Sequence, residues 1–216
     1  MTVKSRRQDY AESTRAALLQ SARHLFVQDG FTDTSLEEVA VHARLTKGAV
    51  YHHFASKKDL FEHVLLEINS GVLDKINRLG GAHGGDAWTR LTSGLELFLD
   101  ACLDVDYQQI CLRQAPSVLG WERCRELESD MRATLDAMLA SLAASEEIRV
   151  PTGPLLTRML YRMLSEGAMA IGEADHPQAA RIEVGDIARE LLLSLRSTPL
   201  SQAETNAGPV LRTNKP

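Results

Sequence analysis

Residues 35–58 combine donor side chains that suit DNA with the spacing of a short helix. Lys47, Tyr51 and His52 point outward from this predicted helix, and Lys57 follows it. An ammonium, a phenol and an imidazole are suitable donors to phosphate oxygens and to the purine acceptors of the major groove. This stretch therefore predicts that the chain binds double-stranded DNA.

Two short helices joined by a tight turn would position these donors. Ser35 and Glu38 form the S-x-x-E pattern of a capping box, and Thr46 is placed to cap the second helix. Gly48 and Ala49 leave little side chain outside, so that helix can approach base edges closely. The apolar residues expected to fix the angle between the helices are Val39, Ala40, Leu45, Val50 and Phe54.

His53 either makes a second phosphate contact or packs against the small core. A metal site made with His52 is disfavoured, because adjacent residues on a helix diverge by about 100°, and no metal or cofactor is predicted. The basic residues Lys4, Arg6 and Arg7 form either a flexible arm on DNA or ordinary disordered chain.

The charge of the chain is unevenly distributed. The 216 residues include 24 Lys and Arg against 29 Asp and Glu, a net charge of −5. Residues 1–60 contain nine basic and seven acidic residues, and the remainder contains 15 and 22. A mildly basic head on an acidic body can still approach phosphate.

Three cysteines without a C-x-x-C pair, Cys102, Cys111 and Cys124, indicate reduced thiols. The first residues contain no apolar run of the kind found in signal peptides. No uncharged apolar stretch is long enough to span a bilayer. These features predict a cytoplasmic protein with no membrane partner.

Apolar residues recur at helical spacing along nearly the whole chain, which predicts an all-α fold of about nine helices. Residues 80–86 are glycine-rich and are expected to form a loop. Pro116 is expected to end the sixth helix, and residues 120–144 to form one continuous helix. The predicted division is a DNA-binding head at residues 1–55 with a basic arm at 1–12, a helical ligand-binding and dimerisation body at 56–197, and a disordered tail at 198–216.

One family shares this arrangement of motifs. From Thr14 the chain has T-R-x-x-L-L-x-x-A-x-x-L-F-x-x-x-G-F, then S-L-E-E-V-A, then T-K-G-A-V-Y-H-H-F-A-S-K-K-D-L. Residues 13–61 thereby resemble the DNA-binding domain of TetR family transcriptional regulators. The resemblance implies that Tyr51, His52 and Lys57 contact phosphates. It further implies an all-α second domain that dimerises and usually binds a small ligand.

Arg44 departs from the family pattern, which usually has glycine at this position of the turn. That position often takes a left-handed conformation, which costs a residue other than glycine roughly 1 kcal/mol. We therefore expect a strained turn at Arg44, or one whose geometry differs slightly.

Aromatic, sulfur-containing and polar residues at helical spacing in the body have two interpretations. They form either ordinary core or the lining of a ligand pocket. The resemblance makes the two interpretations about equally well supported. The candidate pocket residues are Phe98, Cys102, Cys111, Gln114, Trp121, Met131, Arg162 and Glu166.

The last two predicted helices carry broad apolar surfaces. They either pack with their symmetry mates into a four-helix interface or only close the core of one chain. A dimer is favoured, because two half-sites multiply the specificity of one short reading helix. The candidate interface residues are Leu160, Met163, Leu164, Gly167, Ile171, Val184, Ile187 and Leu191.

No catalytic motif is found: G-x-S-x-G and H-E-x-x-H are both missing from the sequence. The predicted function is a ligand-responsive homodimeric repressor that binds a palindromic operator and is released by a small molecule. The alternatives are a regulator or architectural protein without a ligand, and an all-α enzyme domain fused to a DNA-binding head. An enclosed apolar cavity with a few polar groups would favour the first.

Overall fold

The structure, a computed structural model, describes residues 6–82 and 86–197, and the side chains of residues 8–78 and 86–197. The described residues fold as predicted into an all-α protein. Its elements are α1 (Arg6–Gln28), α2 (Gly30–Asp33), α3 (Leu36–His42), α4 (Lys47–His53), α5 (Lys57–Ala82), α6 (Ala87–Ala101), a π-helix (Tyr107–Gln114), α7 (Ala115–Leu119), α8 (Trp121–Leu127), α9 (Ser129–Ala144), α10 (Pro154–Glu173) and α11 (Pro177–Ser194).

The head consists of α1 to α4 together with the first turns of α5. Its centre is an aromatic cluster in which the ring of Phe26 lies 5.9 Å from that of Phe31 and 5.2 Å from that of Phe61. Short helices such as α3 and α4 are not stable alone. Packing against α1 and α5 therefore holds them in place, and the fully buried residues include Leu18, Ala22, Phe26, Val39, Val50, Phe54 and Leu60.

Helix α5 belongs to both parts of the molecule. Phe61, near its start, packs in the head, whereas Ile76 lies against α6 where that helix passes at Gly94. Helix α5 therefore contributes to both head and body, and its start at Lys57 lies next to the predicted boundary at residue 56. This continuous helix connects the two parts directly.

The body departs from the prediction at two helix boundaries. Pro116 does not end a helix, since it is the second residue of α7, where no backbone N–H is required. The chain turns instead at Gly120, whose φ of 87° suits glycine. The predicted helix over residues 120–144 is divided at Glu128, whose φ of −83° and ψ of 1° interrupt it.

The predicted basic arm and glycine-rich loop lie only partly within the described residues. The backbone of residues 6–12 belongs to helix α1, whereas the sequence predicts a flexible arm or disordered chain for the basic residues at this end. Lys4 and the side chains of Arg6 and Arg7 lie outside the described residues, as does the predicted tail. Helix α5 continues to Ala82, into the predicted loop. None of the described helices is both long and apolar enough to cross a membrane.

Candidate functional site

The N-terminal ends of α3 and α4 are capped as predicted. The Ser35 Oγ accepts from the Glu38 N–H at 3.2 Å, and the Ser35 N–H donates to the Glu38 carboxylate at 2.7 Å. The Thr46 Oγ1 accepts from the Ala49 N–H at 3.2 Å. Each hydroxyl therefore keeps its own hydrogen available for a phosphate oxygen. Helix α4 thus begins at a fixed position relative to α3.

The turn between α3 and α4 has the left-handed residue expected from the sequence. Arg44 adopts a φ of 57°. Its N–H donates to the Val41 carbonyl at 3.0 Å, and the Leu45 N–H donates to the Ala40 carbonyl at 2.8 Å. Ala40 is buried at the helix crossing, where a larger side chain would separate the helices. The backbone is therefore strained at Arg44, and the two hydrogen bonds keep the turn tight.

The outer surface of α4 presents the predicted donors to solvent. Tyr51 is 51% exposed, and Lys47, Gly48 and His52 are exposed as well. Ala49 is half-buried. These residues lie on one short helix whose other side, through Val50, is buried. The described head thus brings together the side chains predicted to read DNA.

A carboxylate lies within this surface. Glu37 on α3 forms an ion pair with Lys47, and the hydrogen bond between them lowers the pKa of Glu37 and raises that of Lys47. The Lys47 ammonium also lies 5.7 Å from the centre of the Tyr51 ring. Glu37 therefore aligns Lys47 but also competes with phosphate for it. The sequence did not single out Glu37.

His53 is half-buried and packs towards the core of the head. Its ring centre lies 6.3 Å from that of Phe54. Burial lowers the pKa of His53, and the neighbouring His52 and Arg15 lower it further. A neutral imidazole that packs against Phe54 fits the packing interpretation better than the phosphate contact.

Lys57 has partners that the sequence did not predict. Its ammonium donates to the carbonyls of Phe31 at 2.7 Å, Thr32 at 3.1 Å and Thr34 at 2.8 Å. An ammonium has three N–H donors, so this arrangement uses all of them. The phosphate contact expected of Lys57 is therefore not available to its side chain in this conformation. The adjacent Lys58 is exposed and remains a candidate for that contact.

A cavity of about 110 Å³ lies in the body among α5, the π-helix, α8, α9 and α10. Five of the predicted pocket residues line it: Phe98, Cys111, Trp121, Met131 and Arg162. Trp121 lines its rim, since this residue is 60% exposed and does not belong to the core. The cavity also has wall residues that the sequence did not select, among them Tyr107, Glu128 and Tyr161.

Three predicted pocket residues do not line this cavity. The Cys102 thiol is buried elsewhere and donates to the Phe98 carbonyl at 3.2 Å. Glu166 is exposed. The Gln114 amide reaches the head instead, where it donates to the Phe26 carbonyl at 2.9 Å and accepts from the Phe31 N–H at 2.8 Å. Gln114 thus joins the cavity wall to the DNA-binding head.

The three cysteines are unpaired thiols in surroundings that disfavour the thiolate. Burial raises the pKa of Cys102 to about 12, and it raises those of Cys111 and Cys124 as well. Because the thiolate is the reactive form, these cysteines are weak nucleophiles. Packing is therefore their supported role.

The predicted interface residues divide between the core and the surface. Leu160 and Ile171 are buried within the chain itself, so they cannot contact a second copy directly. A Cβ added to Gly167 would lie 2.6 Å from the Val184 side chain, which means that this glycine permits close packing of α10 on α11. Ile187 and Leu191 remain exposed, and Met163, Leu164 and Val184 are half-buried.

Two family profiles account for the head and the body in turn. Residues 18–64 match the profile described as bacterial regulatory proteins, tetR family. Residues 88–195, half of the chain, match the profile described as tetracyclin repressor-like, C-terminal domain. The described architecture, a helix-turn-helix head on a helical body, agrees with both.

Known proteins support the same assignment. The chain is 27% identical over 165 residues to the transposon Tn10 TetC protein of Escherichia coli, which covers 74% of this chain and 81% of that protein. It is 46% identical over 66 residues to the HTH-type transcriptional regulator AcrR of Shigella flexneri, 30% of this chain and 31% of that one. The crystal structure of a TetR-family transcriptional regulator from Pectobacterium atrosepticum has a TM-score of 0.78 and 27% identity, and the match covers 91% of this chain and 100% of that chain. The chain therefore belongs to the TetR family of bacterial transcriptional regulators, and it is a DNA-binding regulator rather than an enzyme.

Proposed function

We propose that the chain is a homodimeric repressor that binds a palindromic operator through α4 and is released by a small molecule. The observation that carries the proposal is the capped helix α4, which presents Lys47, Tyr51 and His52 on one exposed surface. A helix fixed at its start and buried along its other side can enter the major groove as a rigid reader. We expect the protein to act in the cytoplasm, where its DNA would lie.

Substitutions on α4 test the DNA-binding part of this proposal. Lys47→Ala and Tyr51→Ala each remove a donor expected to contact phosphate. Both should weaken binding to all sequences. Lys47→Ala should also reduce the slope of log K against log salt by about 1, whereas Tyr51→Ala removes a neutral donor and should leave the slope nearly unchanged. Lys75→Ala, an exposed lysine on α5 in the body, is the matched control. Wild-type operator affinity in both α4 variants, or a wild-type salt slope in Lys47→Ala, would refute the assignment.

Exposed apolar residues on α10 and α11 support the dimer. Gly167 and Val184 are in contact on either side of the short loop after α10, so the two helices run antiparallel. Met159 on α10 is 62% exposed, and Ile187 and Leu191 on α11 are 54% and 46% exposed. Leaving such side chains in water is unfavourable, and burying them against a second copy would stabilise an isologous interface.

The cavity supports regulation by a ligand over constitutive DNA binding. Its wall includes Cys111 of the π-helix and Ala115 of α7, and between these two residues lies Gln114, which holds the head. A ligand that prefers one position of this wall would favour one position of the head. Operator affinity would then fall because the ligand binds the two states with different affinities.

A further inference from the structure

The cavity contains one carboxylate with an unmet hydrogen-bonding requirement. Glu128 lies at the joint between α8 and α9 and contributes to the cavity wall. Its Oε2 atom is fully buried and has no hydrogen-bond partner among the described residues. Leaving a buried polar atom without a partner is unfavourable, and such atoms are uncommon in folded proteins.

The arginines near Glu128 do not meet this requirement. Arg162, Arg132 and Arg125 favour its charged form, but burial outweighs them and the pKa of Glu128 is raised. The Arg132 guanidinium lies instead over the ring of Tyr161, 6.0 Å from its centre. Arg162 is exposed and can keep its water. The group that requires a partner is therefore the carboxylate rather than an arginine.

The residues around Glu128 favour a ligand whose remaining part is apolar and packs against aromatic side chains. Phe98, Tyr107 and Tyr161 line the same cavity. A second cavity of about 60 Å³ adjoins it and shares Phe98, Met131 and Tyr161 in its wall. The remaining wall of the second cavity is almost entirely aliphatic: Ile76, Leu91, Gly94, Leu95, Thr134, Leu135, Met138, Leu160, Met163, Leu164 and Leu192. An elongated ligand could place one polar end at Glu128 and its apolar part between these side chains.

We propose that the effector is a protonated amine with an apolar body, and that Glu128 accepts a hydrogen bond from its ammonium. This inference rests on the proposed function, because it names the class of ligand that the regulatory cavity binds. An ammonium supplies both the missing donor and the opposite charge. Phe98 and Tyr107 line the same cavity, and a cation that lies over an aromatic ring gains a favourable cation–π contact. An anionic ligand would place like charges together at Oε2.

A matched series of ligands tests the proposal on the full chain. The probes are 4-phenylbutylamine, 4-phenylbutan-1-ol and 5-phenylpentanoate, which share an apolar body and differ in the charge of the polar end. Isothermal titration calorimetry at pH 7 should show the amine binding about tenfold or more tightly than the alcohol, since a charge-assisted hydrogen bond exceeds a neutral one by that order. The pentanoate should bind most weakly.

Glu128→Gln should remove most of the preference for the amine while leaving affinity for the alcohol nearly unchanged. Glu122→Gln, an exposed glutamate on α8, is the control and should keep the preference. The ranking of the three probes on the unmodified protein tests the inference even if Glu128→Gln fails to fold. An amine that binds no better than the alcohol, or a preference that survives Glu128→Gln, would overturn it.

A DNA measurement separates this inference from the proposed function. Operator DNA is first selected from random sequence, and the affinity of the protein for it is then measured with and without 4-phenylbutylamine. Loss of operator affinity on adding the amine supports both the choice of ligand and the proposed function. Operator binding that the amine does not weaken, with no preference for the amine in calorimetry, overturns the choice of ligand and leaves the repressor intact. Failure to bind any DNA overturns the proposed function instead.

Discussion

Arg44 holds the turn between α3 and α4 in a left-handed backbone conformation with a φ of 57°. Glycine adopts this conformation without steric cost, so Arg44→Gly should stabilise the protein by up to about 1 kcal/mol. This corresponds to a rise in melting temperature of about 2–4 °C for a chain of this size. Thermal unfolding followed by circular dichroism measures it.

The neighbouring residue provides the control for this substitution. Ala43 has a φ of −74°, an ordinary helical value. Ala43→Gly relieves no strain and should destabilise the protein. If Arg44→Gly leaves the melting temperature unchanged or lowers it, the turn is not strained at this position.

We expect Lys57 to contribute to DNA binding by supporting the shape of the head rather than by contacting phosphate. Lys57→Ala leaves the carbonyls of Phe31, Thr32 and Thr34 without their donor. We expect a destabilisation of about 1–3 kcal/mol, weaker operator binding and an unchanged salt slope. Lys58→Ala, one residue along and exposed, should reduce the salt slope by about 1 without changing stability. A reduced salt slope in Lys57→Ala would show instead that Lys57 contacts a phosphate.

Glu128 makes stability depend on pH. Burial raises its pKa, and the arginines around it, Arg162, Arg132 and Arg125, oppose this only in part. Since the folded state holds the proton more tightly than the unfolded state, stability falls as pH rises from about 4.3 through the folded pKa. Burial also raises the pKa values of the nearby Tyr107, Cys111 and Tyr161, so they do not titrate in this range.

Glu128→Gln should therefore be more stable than the wild type at pH 7, and the difference should shrink towards pH 4. Urea unfolding at a series of pH values measures both free energies of unfolding. Glu122→Gln on the exposed side of α8 should follow the wild-type curve. A difference between Glu128→Gln and the wild type that grows as pH falls would contradict the raised pKa.

At the scale of elements, the π-helix is a second link between the cavity and the head, beside α5, which also lines the cavity. Arg23 of α1 pairs with Asp106 before its first residue, and Arg113 near its end donates to the Gly172 carbonyl of α10 at 2.6 Å. Gln114 adds its two hydrogen bonds to the head. One short element is thus fastened to the DNA-binding head and to α10 while it lines the cavity.

Gln114→Ala should loosen the head without unfolding the body. It leaves the Phe31 N–H and the Phe26 carbonyl without a partner, which costs about 1–3 kcal/mol locally. Hydrogen exchange of the Phe31 amide should accelerate, while exchange in α9 and α11 stays at the wild-type rate. Gln109→Ala on the same π-helix is the control. An unchanged Phe31 exchange rate would show that Gln114 does not hold the head.

At the scale of the whole molecule, the proposal that two copies bind the operator can be tested on the exposed apolar face of α11. Ile187→Glu combined with Leu191→Glu places charge on the exposed apolar face of α11. Burying these charges in an interface is unfavourable, so we expect monomers in sedimentation velocity and a large loss of operator affinity. Val105→Glu, an exposed valine outside α10 and α11, is the control. A double variant that still sediments as a dimer would place the interface elsewhere.

The sequence alone determines the features that depend on residues close together along the chain. The capping box of Ser35 and Glu38, the cap at Thr46 and the left-handed turn at Arg44 all involve partners within about five residues. Helical spacing likewise predicts that Val39 and Val50 face inward. Such interactions form wherever the local chain is helical, so they can be derived without knowing the fold.

The tertiary structure alone decides the partners of long polar side chains. Lys57 finds its carbonyls 23 to 26 residues away, and Gln114 finds its partners 83 and 88 residues away. A flexible side chain bonds to whichever groups packing brings within reach, and burial decides which polar atom is left without a partner. For this reason Lys57 bonds to carbonyls of the head instead of being free for phosphate, Gln114 bonds to the head instead of lining the cavity, and Glu128 keeps a buried oxygen without a partner among the described residues.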